Sequence, residues 1–319
     1  MPTPPLQITK KQHYVPQFYL RQWVDNEGGF YPIKIEQDEP PVLKIFKNKS
    51  GPSSFCYENF FYAQKTGVKD EVSQLFEEKF AEIEAIFSNE LPAIEKKIVN
   101  NEQITELDKY RLSECMLFLH FRGKKYRHDA EKMTDKLMKQ MFQHRVQYMD
   151  KDPKFEADMK KHGLTKEKMI EFVNGEQYTV SLGNIQHLKI MDDIEGFCNL
   201  LTAKYLKVYI SRWSEFITTD NPYLDKALSN TFWGNDFLSR EQVFILSPRV
   251  VIVARYPHDK NGKKFSRKDI TNDKGKVQIL NTHVLMNSIK FGFHKDKTLL
   301  EELDHCVHFL YENKKPPQR

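Results

Sequence analysis

No stretch of this 319-residue chain approaches the roughly 18 consecutive apolar residues needed to span a bilayer. Cysteine is sparse. Cys56, Cys115, Cys198 and Cys306 lie far apart and form no CxxC pair. That pattern argues against a zinc knuckle or a disulfide frame and fits reduced, mostly buried thiols in a cytoplasm. The opening residues, MPTPPLQITKKQ, lack the apolar segment of a secretory signal. The phosphate-cradling patterns GxxxxGK[ST] and GxGxxG are missing, as are HExxH and the GxSxG elbow. The strand-like VFIL and VVIVARY carry no acid-x-Lys of the kind a PD-(D/E)xK nuclease needs. Internal repeats and low-complexity tracts are absent as well.

What remains is a globular composition, 39% hydrophobic and 29% charged, rather than a disordered one. The 23 phenylalanines and 14 tyrosines suit a thick core with aromatic anchors. The net charge of +5 permits an anionic partner without demanding one.

Three textures follow one another. Residues 1–66 read as irregular and β-rich, with one short helix and strands at 29–35 and 42–46 kept short by Pro32, Pro40, Pro41 and Pro52. Residues 68–201 read as helical. Val72, Leu75, Phe76, Phe80, Ile83 and Phe87 recur at helical spacing, and Pro92 is expected to kink or restart that helix. Thr105 is a good N-cap, with Asp108 three residues on. Its helix carries the apolar run 115–121 and is expected inside the bundle, with Gly123 as a break. Residues 150–162 read as a polar loop. Residues 204–319 read as strands at 205–211 and 215–219 around a turn, a hairpin at 242–246 and 250–255, a lysine-rich loop at 259–276, and helices at 277–289 and 298–311. The expected fold is α+β, a helical bundle packed on a small, mostly antiparallel sheet, in a single domain over 1–319. The first region is too small to fold alone and is expected to dock on the last.

Two motifs stand out. In His13-Tyr14-Val15-Pro16-Gln17-Phe18-Tyr19-Leu20-Arg21-Gln22-Trp23, Pro16 suits a first helical turn, placing His13 and Tyr14 just ahead of it. Free N–H groups there attract anions and disfavour imidazolium, which suits a general base. The alternative is that His13 and Gln17 simply anchor the chain start. In Phe216-Ile217-Thr218-Thr219-Asp220-Asn221-Pro222, polar side chains leave an apolar strand at a turn. Asp220 could bind a metal, orient a histidine or act as a base, or it could close an Asx-turn. His305 and His308 share a helical face but lack a third metal ligand nearby. The HEPN ribonucleases carry an arginine and, a few residues on, a histidine. Arg122 and His128 meet that spacing, but the pattern is degenerate and Gly123 stands where a polar residue is usual, so chance explains it better.

HYVPQFYL, then FITTDNP, then LSP and a late helical Asn281 occur in that order. The chain thereby resembles a bacterial family of unknown function marked by an N-terminal HYVPxxYL motif and a later TSDNP motif. Thr219 stands where that family shows serine and keeps a hydroxyl. The family also shows an arginine ending a hydrophobic helix mid-chain, a place that Arg122 fits. The resemblance brings no activity with it. It implies that His13, Arg122, Asp220, Asn221 and Asn281 meet in one pocket.

Two functions are expected on this basis. The first is an intracellular, cytoplasmic hydrolase acting on a phosphate-containing substrate, a nucleic acid or a nucleotide. His13 is its base or acid, Asp220 orients it or holds a cation, and Arg122 clamps a phosphate. Tyr14, Gln17, Asn221 and Asn281 position the substrate, with Lys10, Lys11, Lys124, Lys125 and Arg127 adding positive potential. Mg or Mn is the cofactor such chemistry calls for. One aspartate and two asparagines make a poor cage, so substrate phosphates or Glu78 or Glu84 would have to add ligands. The second is a non-catalytic module that binds a nucleotide, an anion or a nucleic acid.

Overall fold

The computed structural model describes residues 9–36, 41–65, 72–73, 75–175, 178–181, 183, 186–224, 241–255 and 264–312. The N-terminal part holds β1 (Lys11–His13), the short helix α1 (Gln17–Leu20), β2 (Tyr31–Glu36), β3 (Val42–Ile45), β4 (Tyr57–Asn59), β5 (Gln64–Lys65) and β6 (Val72–Ser73). Helices fill the middle: α2 (Leu75–Val99), α3 (Glu106–Phe121), α4 (Lys124–Gln147), α5 (Pro153–Lys161), α6 (Lys166–Asn174) and α7 (Ile194–Thr202). The last third holds β7 (Tyr205–Ile210), β8 (Thr218–Thr219), β9 (Tyr223–Leu224), β10 (Gln242–Ser247), β11 (Val250–Arg255), β12 (Phe265–Asp269), α8 (Lys274–Met286), β13 (Phe291–His294) and α9 (Lys297–Glu312). The fold is α+β.

The strands form two main sheets. One has the order β12-β7-β11-β10-β9 and is antiparallel except where β12 runs parallel to β7. The other, β3-β2-β13-β8, is antiparallel throughout and joins the N-terminal part to the C-terminal part. At its centre Gly292 faces Ile33 on one side and Thr219 on the other. A Cβ there would sit 2.7 Å from Leu285 Cδ1, so glycine is what lets α8 press onto this sheet.

The helices follow their local chemistry. Thr105 Oγ1 accepts from the Asp108 N–H at 3.1 Å, and Asp108 Oδ2 accepts from the Thr105 N–H at 2.8 Å, closing a capping box on α3. This helix buries residues on nearly every face, among them Leu112, Cys115, Met116, Phe118 and Phe121. A helix buried all round needs no amphipathic stripe. The helix α2 runs through Pro92 without ending and turns Phe80, Phe87, Leu91 and Ile94 inward.

Several expectations change. Residues 150–162 are not a loop. Asp152 caps α5 through the Phe155 N–H at 3.1 Å, and Pro153 opens the helix. Phe155 then joins Val146, Met149, Met169 and Val173 in a small second core. Part of the lysine-rich stretch is strand β12, held by parallel pairing to β7, which no local alternation announces. Residues 205–211 and 215–219 do not form a hairpin, because β7 and β8 lie in different sheets. The remainder of the lysine-rich stretch before 264, and Lys314 with Lys315, lie outside the described residues.

Candidate functional site

The two motifs meet, and they meet in the core. The Tyr19 hydroxyl donates to the Ile245 carbonyl at 2.5 Å and lies 2.9 Å from Thr218 Oγ1. Trp23 Nε1 donates to the Phe216 carbonyl at 2.8 Å. The Tyr14 N–H donates to the Cys56 carbonyl at 2.8 Å, and its hydroxyl bonds the Cys56 thiol. Burial pushes the Tyr14 hydroxyl and the Cys56 thiol up, and the Asp220 charge adds to both. Positions 14, 19 and 23 therefore run past positions 220, 218 and 216 in opposite directions.

Asp220 is buried, and backbone groups take up its carboxylate. Oδ1 accepts from the Ile289 N–H at 2.8 Å, and Oδ2 accepts from Lys290 at 2.8 Å and Phe291 at 3.0 Å. Burial raises its pKa to about 6 against these three donors and the nearby Lys124. Asn221 Nδ2 donates to the Asn287 carbonyl at 3.0 Å. Asn281 bridges the Ile217 N–H and the Glu215 carbonyl, at 3.0 Å each. The structure thus does not bring Asp220, Asn221 or Asn281 to His13. The turn from α8 into β13 leaves N–H groups that need acceptors, and Asp220 supplies them. Tyr14 is likewise packed inward, against Phe61 and Cys56.

His13, Gln17 and Arg122 do come together. They line a cavity of about 380 Å³ with Arg21, Glu77 and Glu84. Arg122 is 1% exposed. Its Nη1 pairs with Glu84 Oε1 at 2.6 Å, its Nη2 donates to the His13 carbonyl at 2.5 Å, and its Nε donates to the Tyr62 hydroxyl at 3.3 Å. The guanidinium also sits over the rings of Phe80 and Phe118, at 4.7 and 4.8 Å. Arg122 is therefore a buried hub, not an open phosphate clamp. The His13 ring donates to the Ser53 backbone, while its Nε2 has no hydrogen-bond partner. Burial, helped by Arg122, lowers its pKa to about 4, so the ring is neutral. Glu77 Oε2 also has no partner, and burial pushes that carboxyl up.

A second cavity, of about 500 Å³, opens on the other side of Gly123. Lys124, Lys125, His128, Lys132, Ser288 and Ile289 line it. The helix α4 starts here with no side-chain cap and no acidic residue in its first turn. Its first intrahelical bond runs from the Arg127 N–H to the Gly123 carbonyl, so three earlier N–H groups lack helical acceptors. Ser288 is 6% exposed, and its Oγ has no partner. Arg122 and His128 line different cavities, so the HEPN-like spacing builds no single site.

The model of the family described as "Protein of unknown function (DUF4238)" matches residues 11–298. The chain belongs to the DUF4238 family. No curated protein and no solved structure matches it.

In this DUF4238 chain, sequence reading missed Glu77, Ser288 and Lys132. Glu77 and Glu84 are seven residues apart and share a face of α2, the one available signal, whereas Glu78 is exposed. Ser288 had no local signal, since its place depends on what holds the turn around it. A third, smaller cavity of about 180 Å³ touches Asn281, Glu215 and His294. His294 Nε2 lies 3.1 Å from Glu215 Oε2, and Lys295 pairs with the same carboxylate at 2.8 Å. Burial alone would raise Glu215, but these two partners outweigh it and hold the carboxyl at about 2. Among the described residues no three His, Cys, Asp or Glu side chains converge as a metal ion would need, and no helix is long and apolar enough to cross a membrane.

Proposed function

We propose that this DUF4238 protein binds a phosphate-containing ligand, a nucleotide or a nucleic acid, in the basic cavity at the start of α4. The sign of the charge there carries the reading. A helix N-terminus favours acidic residues, yet α4 begins with Lys124 and Lys125 and has no acid in its first turn. Free amides and cations facing one space suit an anion. Lys125 pairs with Asp129 at 3.0 Å and Lys124 with Glu58, but all four groups are substantially exposed. Such pairs contribute little and exchange readily for a phosphate. The Ser288 hydroxyl is a further polar group without a partner, and the volume suits a mononucleotide. The TDNP motif enters indirectly, because Asp220 and Asn221 hold the 287–291 turn that forms the opposite wall.

The test is equilibrium binding of a single-stranded oligonucleotide and of ATP at low salt. Wild type is expected to bind with an affinity that falls as salt rises. Lys125→Glu with Lys132→Glu should weaken it by about tenfold or more, at unchanged melting temperature, since each phosphate contact contributes to that salt-dependent term. Equal binding by the double variant overturns the proposal. A hydrolase is the second reading, and the unpartnered His13 Nε2 in the neighbouring cavity favours it.

A further inference from the structure

We infer that the cavity walled by His13, Glu77 and Arg122 is an acid–base site acting on an RNA phosphodiester, with His13 Nε2 as the base and Glu77 as the acid. The inference rests on the reading of this chain as a phosphate-directed protein. It concerns a different cavity, on the far side of Gly123.

His13 is set up to accept a proton. Pairing of β1 with β4 fixes its backbone, and Arg122 Nη2 holds its carbonyl. The Ser53 backbone takes the ring's one proton, and because Nε2 has no partner that proton sits on Nδ1. A neutral ring held in one tautomer presents the Nε2 lone pair. Glu77 is set up to give a proton. Its Oε2 is buried without a partner, and burial favours the protonated carboxyl. A pair of groups driven toward opposite roles by one environment marks an acid–base site. Buried polar atoms without partners are costly, and two on the wall of one cavity call for a reason.

The remaining charges select the substrate. With Glu77 protonated, the cavity carries Arg21 and Arg122 against Glu84. The surplus is one positive charge, which matches one phosphodiester. Arg122 is committed to Glu84, so exposed Arg21 is the group that meets the phosphate. Phe18 lies on the same wall and offers a ring on which a base can stack. RNA supplies its own nucleophile at high effective concentration, so two proton-transfer groups suffice. His13 Nε2 takes the proton of the 2′-hydroxyl. The 2′-oxygen bonds to phosphorus, the bond from phosphorus to the 5′-oxygen breaks, and that oxygen takes the Glu77 proton. The products are a 2′,3′-cyclic phosphate and a 5′-hydroxyl. Return of one proton from His13 to Glu77 through water resets the site.

The experiment incubates the full chain with a single-stranded RNA and with DNA of the same sequence, in EDTA. It measures binding of each and identifies the ends produced. Cleavage of RNA alone, leaving cyclic phosphate, is expected. His13→Ala and the isosteric Glu77→Gln should each slow cleavage about 100-fold or more while binding RNA as wild type does. Their melting temperatures establish that they fold. RNA bound but uncut overturns this inference and leaves the basic cavity's reading intact, whereas no binding and no cleavage overturn both. Cleavage of DNA, loss of cleavage in EDTA, or full activity in folded His13→Ala also overturns it.

Discussion

The Tyr19 hydroxyl and Thr218 Oγ1 lie 2.9 Å apart across 199 positions of sequence. The single Tyr19 proton goes to the Ile245 carbonyl, so Thr218 donates to Tyr19. One tyrosine thereby ties the HYVPQFYL segment to β8 and β10 with every polar atom satisfied. These motif residues are recurrent in type because a buried polar network tolerates few substitutes.

Tyr19→Phe should remove this tie while keeping the ring. It strands a buried carbonyl and a buried hydroxyl, at a cost of about 2 kcal/mol. Urea unfolding of the variant against wild type measures it. A change under about 0.5 kcal/mol, the scatter of ordinary surface substitutions, would refute the account.

Asp220→Asn tests the role of the TDNP motif as a brace. The amide oxygen can serve the Lys290 and Phe291 N–H groups, but its NH₂ then faces the Ile289 N–H, donor against donor. A loss of about 2 kcal/mol is expected, because bonds to an ionised acceptor are the stronger kind. Since Ser288 sits at the head of that turn, phosphate binding should weaken as well. Lost stability with unchanged binding would separate the turn from the basic cavity.

The elements that sequence disclosed are those whose cause is local. Thr105 with Asp108 announced α3, and the alternation around Ser247-Pro248-Arg249 announced the β10–β11 hairpin. Strand β12 was hidden because its partner, β7, is remote in sequence and its own residues are charged. The convergence of the two motifs was legible from their polar content, but its kind was not. Whether a polar residue faces a cleft or an orphaned backbone group depends on the turn opposite it. For Asp220 that turn lies about 70 residues downstream. Glu77 shows the complementary case. Its spacing to Glu84 was visible, yet only the burial of Arg122 between β1 and α2 makes that face a cavity wall.

Gly123→Ala probes the break between the two cavities. A Cβ at 123 would lie 3.1 Å from the carbonyl oxygens of both Leu119 and His120. Backbone carbonyls within a helix cannot give way, so α4 must tilt off the end of α3. A loss of about 1–2 kcal/mol in stability is expected, as for other overpacked contacts. Binding at the basic cavity should fall with it, because the first-turn amides move. An unchanged melting curve would mean that the junction has slack.

The His13 ring makes stability depend on pH with a definite sign. Burial and the charges of Arg122 and Lys11 lower its folded pKa to about 4, from an ordinary value of 6.5, while the Ser53 backbone pulls the other way. Between those values the unfolded chain binds the proton and the folded chain does not. Stability is therefore full above pH 6.5 and is lost as pH falls toward 4. The ring is partly exposed, so solvent screening reduces the loss to about 1–2 kcal/mol. His13→Gln cannot titrate and should show a shallower fall between pH 6.5 and 4.5, measured by urea unfolding at several pH values. An identical slope in both proteins would mean that the imidazole protonates as freely in the fold as outside it. The base at Nε2 would then lose the environment that keeps its lone pair available.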